Sequence, residues 1–348
     1  LNSRLARLTE NARRILCRSR RDDRRFSEHI KSLFGRSKVY LSSLLAIPAS
    51  AFLLNSSLAT SYGGKNLESM IQSSLMDWST AKNIQLDAKP SLIKGATDED
   101  TIFLIEEYAD RPGHHGLMLE TQEKLEALFT QSFKSGFSAN THAIGDKANK
   151  VVLDAYQNVF KKTGGILLRN RIEHAQIVTP DDIPRFKALK IIPSMQPVHA
   201  TSDMHMAEQR LTKKQLSGAY AWQTFLQQGS VVAAGSDYPV ELANPFDGLY
   251  SAITRMDHNK LPENGWRASE VLSREDALRA FTLGGAYAAH QEFKVGSLEK
   301  GKWADFILID KDYFKVPVDE IYKTNVLQTW VAGIKRYEKT KTENTTEK

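Results

Sequence analysis

Phe137-Ser138-Ala139-Asn140-Thr141-His142-Ala143, followed by Ile144-Gly145-Asp146, is the stretch that decides how this chain is built. Its first seven residues read as a strand ending near a histidine. Residues 147–160 then place Val151, Val152, Ala155 and Val159 on one helical face. A strand running straight into an amphipathic helix is half of a β–α–β unit. The alternation continues on both sides. Residues 122–134 carry Leu125, Leu128, Phe129 and Phe133 at helical spacing, and residues 171–175 read as a short strand. Thr179-Pro180-Asp181-Asp182 is a helix start of the capping type. Residues 190–195 are strand-like, 213–228 helical, and 231–235 a buried strand running into Ser236-Asp237. Residues 273–289 open with Ser273-Arg274-Glu275-Asp276, an N-cap with acids in its first turn. The pattern predicts an α/β fold of parallel strands with crossover helices.

The totals fit this reading. A chain of 348 residues, 41% hydrophobic and 25% charged, suits one large α/β barrel or two smaller domains, and excludes a disordered chain or a membrane bundle. The lone Cys17 excludes an internal disulfide framework and a cysteine-based zinc knuckle, so a metal would be held by His, Asp, Glu or a modified Lys. The net charge of +6 is unevenly spread: residues 1–38 hold twelve Lys/Arg against four Asp/Glu, and the remainder is close to neutral. That basic head reads first as a solvated leader, and second as a contact for nucleic acid or anionic lipid. Residues 39–58 are apolar, rich in Ser and Ala, and interrupted by Pro48. They resemble a secretory signal set far from the start, or a partly buried helix pair. Ser42, Ser43, Ser50 and Asn55 dilute them below a membrane span. The compartment expected on balance is the cytoplasm.

Functional groups of a parallel barrel sit where strands end and loops begin. Three such ends carry metal-ligand residues: His142, His174 after Arg171-Ile172-Glu173, and Asp237 after Ala233-Ala234-Gly235-Ser236. Two imidazoles and a carboxylate meeting at one mouth suit zinc or another divalent metal. Such a metal brings the pKa of bound water to about 7, and a neighbouring carboxylate can carry its proton to a leaving nitrogen. Each histidine taken singly is more often a structural residue than a ligand.

The surrounding words narrow the choice. Thr141-His142-Ala143-Ile144-Gly145-Asp146-Lys147-Ala148, Arg171-Ile172-Glu173-His174-Ala175, Ser194-Met195-Gln196-Pro197-Val198-His199-Ala200 and Gly235-Ser236-Asp237-Tyr238-Pro239-Val240 occur in that order. Gly296-Ser297-Leu298-Glu299-Lys300-Gly301-Lys302-Trp303-Ala304-Asp305 follows them. From about Leu104 to Ala332 the chain resembles the YtcJ-like amidohydrolases, the amidohydrolase 3 family. The resemblance implies a (β/α)8 TIM-type barrel with a small β-sandwich, and hydrolysis of a non-peptide carbon–nitrogen bond in an amide, formamide or cyclic amide. It makes His142 and His174 metal ligands from the fifth and sixth strands. Asp237 becomes the eighth-strand ligand and proton shuttle, working with metal-bound hydroxide. Gln196 and His199 could face substrate, with His199 equally readable as a loop residue. Glu173 would orient a ligand or form a buried ion pair. Gly145 and Asp146 would shape a turn and cap the next helix, Tyr220 and Trp222 would pack on a helix, and Asn244-Pro245-Phe246 would wall the pocket.

The chain departs from that family at its start. Residues 1–116 contain no His-x-His pair; His29 is isolated, and His114-His115 sits in a turn between Pro112-Gly113 and Gly116. Lys94 is the nearest candidate for a bridging lysine. About five barrel strands are readable, as expected of an N-terminally incomplete or altered chain. The expected organisation is a helix-rich segment at residues 1–70, an incomplete barrel at 90–294, a sandwich remnant at 295–337, and a disordered tail over 338–348 within a polar end that starts at Lys335. The expected partner is a small amide-type molecule rather than a specific nucleic acid, with homodimerisation as a way to cover open sheet edges. Two competing readings are a catalytically impaired remnant acting as a binding protein, and a nucleic-acid or membrane-surface binder working through the basic head.

Overall fold

The computed structural model describes residues 102–340 and two short strands before them, β1 (Tyr40–Ser42) and β2 (Asn83–Gln85). The basic head, Lys94 and the residues after 340 lie outside the described residues, as does the apolar segment apart from Tyr40–Ser42. The chain divides into two compact units, with boundaries after Ala46 and after Glu292.

The larger unit holds a parallel sheet in the order β2-β3-β4-β5-β6, where β3 is Ser138–Ala143, β4 Arg171–His174, β5 Ile192–Met195 and β6 Ala233–Ala234. The α/β class expected from the alternation is therefore present. Parallel pairing places partners on one face. Asn140 pairs with Arg171, His142 with Glu173, and Glu173 with Ser194, so these polar residues line the same side. The opposite side is largely apolar, with Thr141 bonded to Tyr156, and is covered by helices α1 (Gln122–Lys134) and α2 (Asp146–Thr163). Tyr156 of α2 stacks on Phe129 of α1 at 4.2 Å between centroids, and its hydroxyl donates to Ala139 O at 2.8 Å. Truncating a buried aromatic such as Phe129 to alanine costs about 3–5 kcal/mol.

The single helix expected over residues 213–228 is two. After α3 (Ile183–Ala188) and α4 (Pro197–Arg210), α5 (Lys213–Ser217) stops and α6 (Trp222–Gln227) begins. A Cβ on Gly218 would lie 1.7 Å from Val178 O, and Ala219 bridges Ile177, so tertiary contact overrides helical spacing. Tyr220 consequently sits between the helices with φ of 50°, not on one. Asn244-Pro245-Phe246 starts helix α7 (Pro245–Thr254), with the Asn244 side chain accepting from Phe246 N at 3.2 Å and Phe246 buried.

The last helical run comprises α8 (Arg274–Arg279), a π turn at Ala280–Gly284 and α9 (Gly285–Ala288). Gly284 lies against the strand leading to Asp237: a Cβ there would come within 2.2 Å of Val232 O. Arg169 ties this run to the loop before β4. It donates to both Glu292 carboxylate oxygens at 2.7 and 2.6 Å and stacks over Tyr287 at 3.9 Å.

The other unit contains an antiparallel sheet in the order β1-β7-β8-β9, with β7 at Phe306–Ile309, β8 at Val326–Val331 and β9 at Ile334–Glu338. Two expectations are corrected here. Tyr40–Ser42, within a segment expected to be helical, is a strand paired with β7. The polar end that starts at Lys335 is β9 as far as Glu338, the first residue of the tail expected to be disordered, because Trp330 and Gln328 of β8 pair with Lys335 and Glu338.

Two outcomes follow for stability. Burial alone would raise the Glu292 carboxyl, but the bonds and charge of Arg169 outweigh it and hold it below its ordinary value of 4.5. The folded pKa being the lower, this contribution is complete above the unfolded value and lost as pH falls through the folded one. Glu292→Gln should therefore lower the thermal midpoint at pH 7 and shrink toward wild type below about pH 4; curves separated equally at all pH values would contradict the pairing. Gly284→Ala should cost about 1–3 kcal/mol by overpacking in a denaturant titration, and an unchanged midpoint would refute the close approach.

Candidate metal centre

The C-terminal ends of β3, β4 and β6 and the start of α4 bring four titratable side chains together. Register pairs Ala143 with His174, which would point His174 away from His142. Instead β4 ends at His174 with φ of 74°, and Ala175 follows with φ of 45°. This left-handed turn brings His174 Nε2 within 2.8 Å of His142 Nδ1. Asp237 is left-handed too, at φ of 58°. Such conformations cost about 1–3 kcal/mol each and cluster where function holds them.

His199 arrives by another route. Pro197 occupies the first turn of α4, a position that needs no backbone N–H, and His199 follows two residues later. Its Nε2 lies 3.8 Å from Asp237 Oδ2, and its ring stacks on His174 at 5.9 Å. One donor atom from each of His174, His199 and Asp237 falls within 4.8 Å of the others. His199 is 7% exposed, and its Nε2 has no hydrogen-bond partner among the described residues. A buried nitrogen left so costs about 1–3 kcal/mol, and a cation between these donors would satisfy it.

The protonation pattern suits that role. Gln196 Oε1 lies 3.0 Å from His174 Nδ1, and Gln196 Nε2 donates to Ser194 O at 3.4 Å. Nδ1 of His174 therefore carries the proton and its Nε2 keeps the lone pair, accepting from His142 Nδ1. Burial pushes the His174 pKa down, against the charge of Glu173 and the Gln196 bond. Burial, helped by the charge of His174, pushes His199 down to about 3. Both imidazoles are neutral at pH 7, the form that binds metal. Burial lifts Asp237 to about 6; His142 opposes the shift, and Glu173 and Glu241 add to it. A bound cation would lower that value again.

The structure thus puts His174 and Asp237 in one donor group, with His142 beside it as the partner of His174. His199 joins the group and Gln196 holds His174, although the resemblance pointed both toward substrate, with His199 equally a loop residue. Glu173 pairs with Arg171 at 2.8 Å on the face it shares with His142. Burial alone would raise its carboxyl, but the charge of Arg171, bonds from Ser194 and Arg171 and the charge of His142 hold it below the ordinary range. The signal for His199 was available: Pro197 after a strand, then Ala200, Met204 and Ala207 at helical spacing, all buried.

These features define an α/β protein with a His/His/Asp centre, suited to a divalent cation, at the C-terminal edge of a parallel sheet. A family model described as the amidohydrolase family matches residues 57–335, and the chain belongs to that family. It is 34% identical to Protein LONG AFTER FAR-RED 3 of Arabidopsis thaliana, over 73% of this chain and 43% of that protein. It is 29% identical to YtcJ of Bacillus subtilis (strain 168), assigned by name as an amidohydrolase, over 74% of this chain and 48% of that one. The chain thus spans less than half the length of these curated relatives. Among solved structures it resembles an uncharacterized metal-dependent hydrolase from Pyrococcus horikoshii OT3, with a TM-score of 0.56 and 30% identity, covering 63% of this chain and 43% of that one.

Elemental analysis after zinc supply and desalting should find bound metal in the wild type and none in His199→Ala or Asp237→Ala. Gln196→Leu should retain the site with about 10–100-fold weaker affinity. Full metal content in His199→Ala would remove His199 from the centre.

Proposed function

We propose that this chain carries the catalytic half of a zinc-dependent hydrolase acting on non-peptide, amide-type carbon–nitrogen bonds. The observation that carries the reading is the convergence of His174, His199 and Asp237 around the unsatisfied, buried Nε2 of His199. Membership of the amidohydrolase family and likeness to a metal-dependent hydrolase support it. On this reading the five parallel strands are an arc of a (β/α)8 barrel, and the antiparallel sheet of the other unit is part of a β-sandwich.

His174, His199 and Asp237 would hold the ion, with His142 next to them. A bound zinc ion supplies Lewis acidity and makes water nucleophilic near neutral pH. The residues do the rest. Gln196 fixes the His174 ring with its proton on Nδ1, and a bound ion would take the Nε2 lone pair in place of the His142 bond. Asp237, half-buried at the open side of the group, takes a proton from the attacking water and gives it to the leaving nitrogen. One carbon–oxygen bond forms, one carbon–nitrogen bond breaks, and the products are a carboxylic acid and an amine. The partner is a small amide-type molecule; a second copy of the chain is the proposed cover for open sheet edges. Among the described residues no helix is long and apolar enough to cross a membrane.

A screen of formamides, N-acyl amines and cyclic amides with zinc-loaded protein tests the reading. Turnover should appear with at least one class and fall about 10²–10⁴-fold in Asp237→Asn. Turnover that survives both chelation and that substitution would exclude this mechanism.

A further inference from the structure

Two of the elements that deliver metal donors, the end of β4 and helix α4, meet the turn between α5 and α6 in a second constellation a few residues further on. Gln176 follows His174 by two residues, Asp203 follows His199 by one helical turn, and Tyr220 N donates to Gln176 O. Positions four apart on a helix share a face, about 5–6 Å from Cβ to Cβ, so Asp203 stands one step outward from His199. Its Oδ2 is held twice, by Tyr220 Oη at 2.6 Å and by Gln176 Nε2 at 3.0 Å. Both donors are buried, Tyr220 at 4% and Gln176 at 6% exposure. Tyr220 is itself fixed: its carbonyl accepts from the buried Arg255 at 3.1 Å.

The other oxygen, Oδ1, is different. No donor meets it among the described residues, and it is not sealed from solvent. Nor does a cationic side chain pair with Asp203 among the described residues, while the neighbouring Glu241 adds like charge. The carboxylate is half-buried, and holding Tyr220 and Gln176 occupies only one of its oxygens. Two neutral donors aim the group and leave a charged acceptor open, the arrangement of a recognition group awaiting a donor from outside.

We infer that Asp203 is a specificity-determining residue that accepts a charge-assisted hydrogen bond from a protonated amino group on the substrate, so that the site selects amides bearing an ammonium on the flank of the scissile bond. The inference rests on the amide-hydrolase reading for the word substrate, but binding alone can test it. Gln176 and Tyr220 act as positioning residues for the carboxylate. The spacing from His199 suits a short spacer between amide and ammonium, about four carbons.

The probe is a matched pair, N-(4-aminobutyl)acetamide and N-pentylacetamide, alike in size but differing in the terminal ammonium. Isothermal titration of each into the full chain, supplied with zinc at pH 7, should show the ammonium compound binding at least about tenfold tighter. That comparison needs no variant. Asp203→Asn can still accept from Tyr220, yet offers no charge, and should bring the two affinities within about twofold with an unchanged thermal midpoint. Equal affinities in the wild type, no binding of either, or a tenfold preference persisting in Asp203→Asn would each overturn the inference. Turnover of the same pair is scored separately. Preferential binding without hydrolysis, beside no turnover anywhere in the amide screen, would sink the amide-hydrolase reading and leave the Asp203 site standing. Hydrolysis of both without preference would do the reverse.

Discussion

Parallel pairing in register is the constraint on which the rest of the structure depends. Four strand pairs run the same way, so β3, β4, β5 and β6 end on the same edge of the sheet. Crossover helices bring the chain back each time, which is why one edge collects every strand terminus. Strands of two to six residues are enough, because their work is to hold the termini a fixed distance apart. The apolar face that α1 and α2 cover supplies the stability; the polar face of Asn140, Arg171, Glu173 and Ser194 is held by its own hydrogen bonds and charges.

Against that regular frame, the site is made by departures from regularity. Left-handed turns at His174 and Asp237 re-aim side chains that straight strands would direct elsewhere. Burial removes the protons from His174 and His199 and makes ionisation of Asp237 harder. Two neutral imidazoles and a carboxylate that resists carrying an isolated charge are all stabilised by one change, the arrival of a cation. An apolar packing role would explain none of the three together.

Much of this was legible in the sequence, and the rest was hidden for identifiable reasons. The helices at residues 122–134 and 147–160 could be read because Phe129, Phe133, Val152 and Val159 repeat at helical spacing and are buried. His142, His174 and Asp237 could be found because each stands at a strand end inside a family word. The break at Gly218 could not, since it depends on the approach of Val178, forty residues away in sequence. Pro197 and the spacing of Ala200, Met204 and Ala207 marked the helix that carries His199, but not its aim at Asp237, which depends on how α4 packs after β5. The collar of Gln176, Asp203 and Tyr220 joins three separate elements through side-chain bonds that no local pattern encodes.

The most direct test of the account is a crystal structure of the zinc-loaded protein with data collected on both sides of the zinc absorption edge. The account predicts an anomalous peak bonded to His174, His199 and Asp237, at about 2.0–2.2 Å from each donor atom. A zinc-loaded crystal with no peak among these residues, or a peak that His199 does not touch, would contradict it.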